Sequence, residues 1–289
     1  MKSFVLFVTS LMAWNLAQAQ VEGFYSGATQ QKASFQETTS SIKPGSVVII
    51  GENHGLELHQ RQQMAIMQAL RSYGPKISVG LEFFTYTDQP LVNDYRQGIL
   101  DEESFLKAIK WGSPSFDFYR QQAQFPLIIE GGQTLALNAP RSLTGKVAKT
   151  GLESLTAEEA ALLPPGFTLG RDSYKQRFLS LMPHLPSPAH GDRYFAAQSI
   201  WDDTMAWVAT EYMKAHPDFI LVIIVGEFHV QYGGGLPNRI QARAPGLNVV
   251  TFSQVNTNGL TSEEAEAELA PSAVDGPRAD YLWLAPAVQ

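Results

Sequence analysis

The chain has six histidines, and two of them close segments of the same design. VVIIGENHG (Val47–Gly55) and LVIIVGEFHV (Leu221–Val230) are both apolar runs ending in Gly-Glu-x-His. Residues i and i+2 of an extended chain point to the same side. Glu52 with His54, and Glu227 with His229, are therefore each able to present a carboxylate and an imidazole to one cation. Hard oxygen together with imidazole suits a divalent metal such as zinc or manganese, or non-haem iron. The same four groups also serve without a metal, through hydrogen bonds and raised pKa values, and both readings stay open. One Glu-x-His pair is weak evidence. Two pairs, each directly after an apolar run and each preceded by glycine, point to a shared pocket.

Other polar residues stand at comparable places. Glu82 lies near the end of ISVGLEFF (Ile77–Phe84), Asn138 and Arg141 follow QTLAL (Gln133–Leu137), and His59 opens the segment after GENHG. In a hydrolytic reading Glu82 serves as general base toward a metal-bound water, with Glu52 beside it. Asn138, Arg141, His59 and Asp202 are support for the pocket, and Arg141 has the geometry to pair with a carboxylate or a substrate anion. Trp201, Met205 and Val208 share a helix face with core spacing. His184 and His190 read as loop histidines, and they are also placed where a large planar cofactor would find a ligand. Tyr232, just past GEFHV and before Gly233-Gly234-Gly235, is the tyrosine whose position suggests function.

These groups need elements to gather them. Ser46–Ile50 and Ile77–Phe84 read as buried strands, and Leu56–Tyr73 between them carries Met64, Met67 and Leu70 at helical spacing. Strand, helix and strand make a βαβ unit, which calls for a parallel sheet with a right-handed crossover. Phe219–Val225 and Asn248–Phe252 are further strands. The expected fold class is α/β, a mostly parallel sheet flanked by helices, with an inserted smaller helical subdomain at about 142–195. All strand C-termini of such a sheet lie along one edge, where open α/β sheets bind ligands. The domain spans 46–260, preceded by a flexible segment at 20–45 and followed by an acidic, Pro-containing tail at 261–289. The strongest helix is read over Ala196–His216.

Composition sets limits. A formal charge of −7 argues against nucleic acid, which demands clustered Lys and Arg. Cysteine is absent, so disulfides, thiolate metal sites, thiol nucleophiles and a lipid anchor through cysteine are excluded. Residues 1–19 carry a basic start, an apolar centre and Ala17-Gln18-Ala19, the pattern of a secretory signal peptide. The chain is therefore expected to be exported, to the periplasm or outside the cell.

In order along the chain, GENHGLELHQ, GLEFFTYTDQPLVNDYRQG, LALNAPRSLTGKVAKTG, AAQSIWDDTMAWVA and GEFHVQYGGGLPNRI resemble the ChaN-like haem-binding uptake family, grouped with the Tiki and erythromycin-esterase-like proteins. The resemblance runs from about Val47 to Arg243. It implies a parallel-sheet domain with a helical subdomain, haem as cofactor, and a role in haem or iron uptake or storage at the cell envelope. It also implies haem held between two protomers with tyrosine ligation, hence a homodimer, and outer-membrane uptake machinery as partner. Tyr232, His184 and His190 are the haem contacts that this reading selects, without any one tyrosine assigned to the iron. Two departures stand out. The family's lipoprotein cysteine is missing, and Glu227 occupies a place where a smaller, non-acidic residue is expected. That extra carboxylate keeps a metal-dependent hydrolase of an amide or ester bond as the alternative.

Overall fold

In the computed structural model, which describes residues 22–287, seven strands pair into one sheet. They are β1 (Gly23–Ser26), β2 (Ser46–Glu52), β3 (Lys76–Thr85), β4 (Thr134–Asn138), β5 (Phe219–Gly226), β6 (Asn248–Asn256) and β7 (Tyr281–Ala285). Their order across the sheet is β1-β7-β6-β2-β5-β3-β4. Every pairing is parallel except β1 with β7. The fold is thus the α/β class read from the sequence. The segment read as a signal peptide lies outside the described residues.

Every residue of β2 and β5 is buried, as befits central strands covered on both faces. Alternate residues feed two cores. Val48 and Ile50 of β2, with Ile220, Val222 and Ile224 of β5, pack beneath α1 (Glu57–Ser72) through its Ile66, Met67 and Leu70. Val47 and Ile49, with Leu221, Ile223 and Val225, face Met205, Ala206, Ala209 and Met213 of a long helix on the other side. Each such side chain contributes about 1.5–3 kcal/mol when fully buried.

The expected β2–α1–β3 unit forms, but its two strands are not neighbours. β5 lies between them, matched to β2 from Val47–Leu221 to Glu52–Gly226 and to β3 from Lys76–Phe219 to Leu81–Ile224. This insertion sets Gly226 beside Glu52 and brings the ends of β2, β3 and β5 together.

Between residues 142 and 195 the chain is helical and contains no strand. It holds most of α2 (Arg141–Thr150), all of α3 (Asp172–Ser180), and the first turns of the long helix, α4 (Pro188–Ala215). That helix begins eight residues before the expected start at Ala196. Pro188 stands in its first turn, where proline is well tolerated. Gly191 keeps it close to its neighbours, since a Cβ there would come 2.7 Å from Leu179. Helix α5 (Leu236–Arg243) leads from the glycine loop into β6.

The two ends of the described chain correct the sequence reading. The segment expected to be flexible forms β1 and a helix over Phe35–Ser41, whose first turn Ser34 caps at the Glu37 N–H. The expected tail forms a helix over Ser262–Ala267 with a capping box between Thr261 and Glu264, and then β7, which joins the sheet. The cause is the alternation Tyr-Leu-Trp-Leu, which buries Leu282 and Leu284 and stacks Tyr281 on Phe24 at 5.3 Å. No described helix is long and apolar enough to cross a membrane.

Candidate functional site

β2 delivers Glu52 buried at the sheet's C-terminal edge. The turn after it brings His54 back onto it, with Nδ1 2.9 Å from Glu52 Oε1. Tyr119 donates its hydroxyl to the same oxygen at 2.6 Å, and Gln63 of α1 donates its amide to Oε2 at 2.5 Å. Burial, reinforced by the Glu52 charge, pushes the Tyr119 hydroxyl well up, so it stays a donor. The turn itself is pinned twice. The Gly55 N–H donates to Tyr119 Oη at 3.1 Å, and the Asn53 N–H donates to His59 Nδ1 at 2.9 Å. His59 is wholly buried, and that burial lowers its pKa to about 4. It supports the turn from below rather than leaning toward the cleft.

The second Gly-Glu-x-His behaves differently. Past Gly226 the chain tightens into a 3-10 turn over Glu227–His229. With three residues per turn, positions i and i+2 of that turn diverge, and the extended-chain assumption fails. His229 enters one network and Glu227 another.

His229 sets Nδ1 2.6 Å from Asp202 Oδ1 of α4 and Nε2 3.4 Å from Glu82 Oε1 of β3. Burial works against its charge, but the Asp202 and Glu82 carboxylates overcome it and raise the pKa to about 10. Asp202 also accepts from Tyr174 Oη at 2.9 Å. Burial likewise works against the Glu82 carboxylate. The His229 charge and hydrogen bond, His54 and the Gly226 N–H nevertheless hold it down at about 2. That N–H donates to Glu82 Oε2 at 2.6 Å, and the same oxygen lies 3.9 Å from His54 Nε2. A carboxylate so strongly stabilised is a weak base, which argues against the general-base role expected of Glu82. Burial tends to lower the His54 pKa, but Glu52 and Glu82 together raise it.

Glu227 turns to the far side of the sheet end. It accepts from Ser253 Oγ and from Arg278 Nε at 3.0 Å, and Arg278 continues to Glu268. Burial raises its pKa against the pull of Arg278. A Cβ on Gly51 would come 2.2 Å from Glu227 Oε2, so glycine before Glu52 makes room for the second carboxylate. The expected four-ligand cation site of Glu52, His54, Glu227 and His229 therefore does not form. Among the described residues no group of three or more His, Cys, Asp or Glu side chains is arranged to hold a metal ion.

The groups that do converge line a cleft of about 270 Å³, bounded by His54, Glu82, Phe83, Asn138, Arg141 and Trp201. His54 is more open than the carboxylate and imidazole beside it, with 41% of its side chain exposed against 13% for Glu82 and 7% for His229. Its ring meets Phe83 edge-on at 4.8 Å. Asn138 Oδ1 accepts from the Ala139 N–H at 2.8 Å, and Arg141 stands exposed at the first position of α2. Trp201, read from its spacing as core, is a wall of the cleft. Tyr119, Gln63 and Tyr174 were not assigned to the site from sequence, because each reaches it from a separate element.

The three residues selected as haem contacts lie outside the cleft lining. Tyr232 has a positive φ of 58° and its ring under the Arg177 guanidinium at 5.1 Å. His190 bonds Ser187 Oγ at 2.8 Å, and His184 is exposed between α3 and α4.

Known proteins share this outline. Residues 38–240 match the family described as haem-binding uptake, Tiki superfamily, ChaN. A solved structure described as cofacial heme binding to ChaN of Campylobacter jejuni is 18% identical, covering 90% of this chain and 94% of that one, with a TM-score of 0.64. An erythromycin esterase in its open conformation is 13% identical over 80% of this chain and 76% of its own, with a TM-score of 0.45. The type III effector HopBA1 is 11% identical over 88% of this chain and 92% of its own, also at 0.45. No curated protein matches the sequence. With its fold shared with ChaN and 38–240 matched by the family's sequence profile, the chain belongs to the ChaN haem-binding uptake family of the Tiki superfamily.

Proposed function

We propose that this protein binds haem at the His54 cleft and acts as an exported component of haem or iron uptake or storage. The observation that carries the reading is that the family match over 38–240 encloses every residue lining that cleft. The donor chemistry fits. Haem would supply an iron that takes a protein donor. The residues that would hold it are His54 through Nε2, Phe83 and Trp201 as apolar walls, and Arg141 for the carboxylates. His54 already has Nδ1 tied to a buried carboxylate, an arrangement common behind metal-bound imidazoles. Among the described residues no tyrosine lines the cleft, so tyrosine ligation would require a site elsewhere, with Tyr232 the first candidate.

The volume of about 270 Å³ lies below the ~300–1,000 Å³ of pockets that enclose a drug-sized ligand. Haem would enter by one part and leave the rest against the surface. This supports a homodimer with haem between copies, in keeping with the cofacial arrangement named for the Campylobacter jejuni protein. Export rests on the N-terminal pattern of residues 1–19, and outer-membrane uptake machinery is the partner that such a role calls for. Titrating haemin into the purified protein tests the reading. A stoichiometric Soret shift is expected, and its absence at equimolar haemin overturns it.

The buried, charge-shifted cluster favours one second reading, acid–base hydrolysis of an ester or amide without the four-ligand metal site. Here His54 Nε2 takes the proton of a water attacking the acyl carbon while Glu52 holds Nδ1–H, and returns that proton to the alcohol or amine as its bond to the acyl carbon breaks. Turnover of p-nitrophenyl esters that disappears in both His54→Ala and Glu52→Gln is expected. Hydrolysis no faster than buffer ends this reading.

A further inference from the structure

Beneath Glu52 lies a polar ladder in an otherwise apolar layer. Gln63 and Gln122 are fully buried and Gln254 nearly so. Gln122 Nε2 donates to Gln63 Oε1 at 2.8 Å, and Gln63 Nε2 donates to Glu52 Oε2 at 2.5 Å and to Gln254 Oε1 at 3.3 Å. Gln254 in turn donates to the His59 carbonyl at 2.9 Å. Gln62, also buried, accepts from Gln254 at 3.0 Å. Glutamines buried here cost free energy unless their polar atoms are matched, and all but Gln62 Nε2 and Gln122 Oε1 find a partner. The matching also has a direction. A carboxylate has no proton to give, so Gln63 must turn its NH2 toward Glu52, and the Gln122 amide holds it in that sense.

The direction passes on to His54. Glu52 Oε1 accepts from Tyr119, whose hydroxyl stays protonated, and Oε2 accepts from Gln63. The remaining contact of the carboxylate, to His54 Nδ1 at 2.9 Å, is then an acceptor contact as well. Neutral His54 must carry its proton on Nδ1, which leaves the Nε2 lone pair toward the cleft.

We propose that the Gln122–Gln63 pair is a positioning element that locks Glu52 as an all-acceptor carboxylate and thereby fixes the Nδ1–H tautomer and orientation of His54. The pair is remote from the cleft and acts only through Glu52. With Gln63→Leu, Oε2 would be buried without a donor, so the carboxylate turns to recover one and releases Nδ1. In Gln63→Glu the new carboxyl, protonated beside Glu52, still offers an O–H and preserves the lock.

The consequence for haem rests on the function proposed above, but the tautomer does not. The test is therefore ¹⁵N NMR of His54 in haem-free protein, at a pH high enough to leave the imidazole neutral, together with a haemin titration. Wild type and Gln63→Glu should show the Nδ1–H form, while Gln63→Leu shows mixed tautomers and about 10–100-fold weaker haem binding, the usual effect of losing such support. Gln122→Met, a milder change that frees the Gln63 amide to flip, should give an intermediate mixture and keeps the test intact if Gln63→Leu folds poorly. An Nε2–H tautomer in wild type, or unchanged His54 signals in both Gln63→Leu and Gln122→Met, overturns the proposal. If the signals move as expected while haem fails to bind even wild type, the positioning role stands and the haem reading falls.

Discussion

The two Gly-Glu-x-His segments start from neighbouring, register-matched strands and end in different chemistry. After β2, Glu52 remains in the strand and His54 folds back onto it, so carboxylate and imidazole form one unit at the mouth of the cleft. After β5, a 3-10 turn parts the pair. His229 becomes a buried cation between Asp202 and Glu82, and Glu227 becomes an anchor for Arg278 and the C-terminal segment. The same four-residue pattern thus yields a cleft-facing dyad in one place and two buried ion pairs in the other. The backbone path beyond the glycine decides the outcome, and pattern spacing alone does not carry that information.

Mutations sharpen the contrast, and the largest effect belongs to the second segment. Asp202→Ala leaves His229 short of one partner inside the protein, and breaking a buried pair this way costs about 3–5 kcal/mol. Urea unfolding should show that loss, and an unchanged midpoint would contradict the buried-cation assignment. The matched pair Glu52→Gln and Glu227→Gln comes next. Glu52→Gln should weaken haem binding about 10–100-fold. Glu227→Gln should leave haem affinity alone and cost about 1–3 kcal/mol of stability, because Arg278 and Ser253 lose a charged acceptor. Equal effects of the two on affinity would erase the distinction.

Titration offers a further probe. The stability tied to the raised pKa of His229 is present below its unfolded value of 6.5 and is lost as pH rises through about 10. Glu82 contributes to the same ion pair from the acid side, present above 4.5 and lost as pH falls toward about 2. His59, buried neutral, adds an earlier acid loss as pH falls from 6.5 to about 4. Unfolding midpoints should therefore plateau near neutrality and fall on both sides, and His59→Gln should flatten the first acid step. The smallest effect is expected of Arg141→Ala. An exposed guanidinium partner contributes about 0.2–1 kcal/mol, so haem affinity should drop only a few-fold.

Much of the frame was legible from residue pattern. The apolar runs of β2, β3 and β5 declared a parallel sheet, whose C-terminal edge then had to collect His54, Glu82, Asn138 and Arg141. Asp202 was also marked for the pocket. It reaches the site through His229, on a helix whose other face is core. The remainder depended on distant pairing. Nothing local to Phe219–Gly226 states that it inserts between β2 and β3. The short strands β1 and β7 read as loose ends because β1 pairs only with β7, and β7 is held between β1 and β6. Tyr119 and Gln63 converge on Glu52 from two distant segments, with Gln122, from the same stretch as Tyr119, behind Gln63, and an isolated glutamine or tyrosine in a helical stretch carries no sign of such a contact.

The ligand-facing dyad at the end of β2, rather than the helical region carrying His184 and His190 or the loop at Tyr232, is the haem-binding centre in this proposal. Soret spectra of haemin-titrated wild type, His54→Ala and Tyr232→Phe test it most directly. The account predicts that His54→Ala abolishes the shifted Soret band while Tyr232→Phe retains it. A band that persists in His54→Ala and vanishes in Tyr232→Phe would contradict it and move the site to the Tyr232 loop.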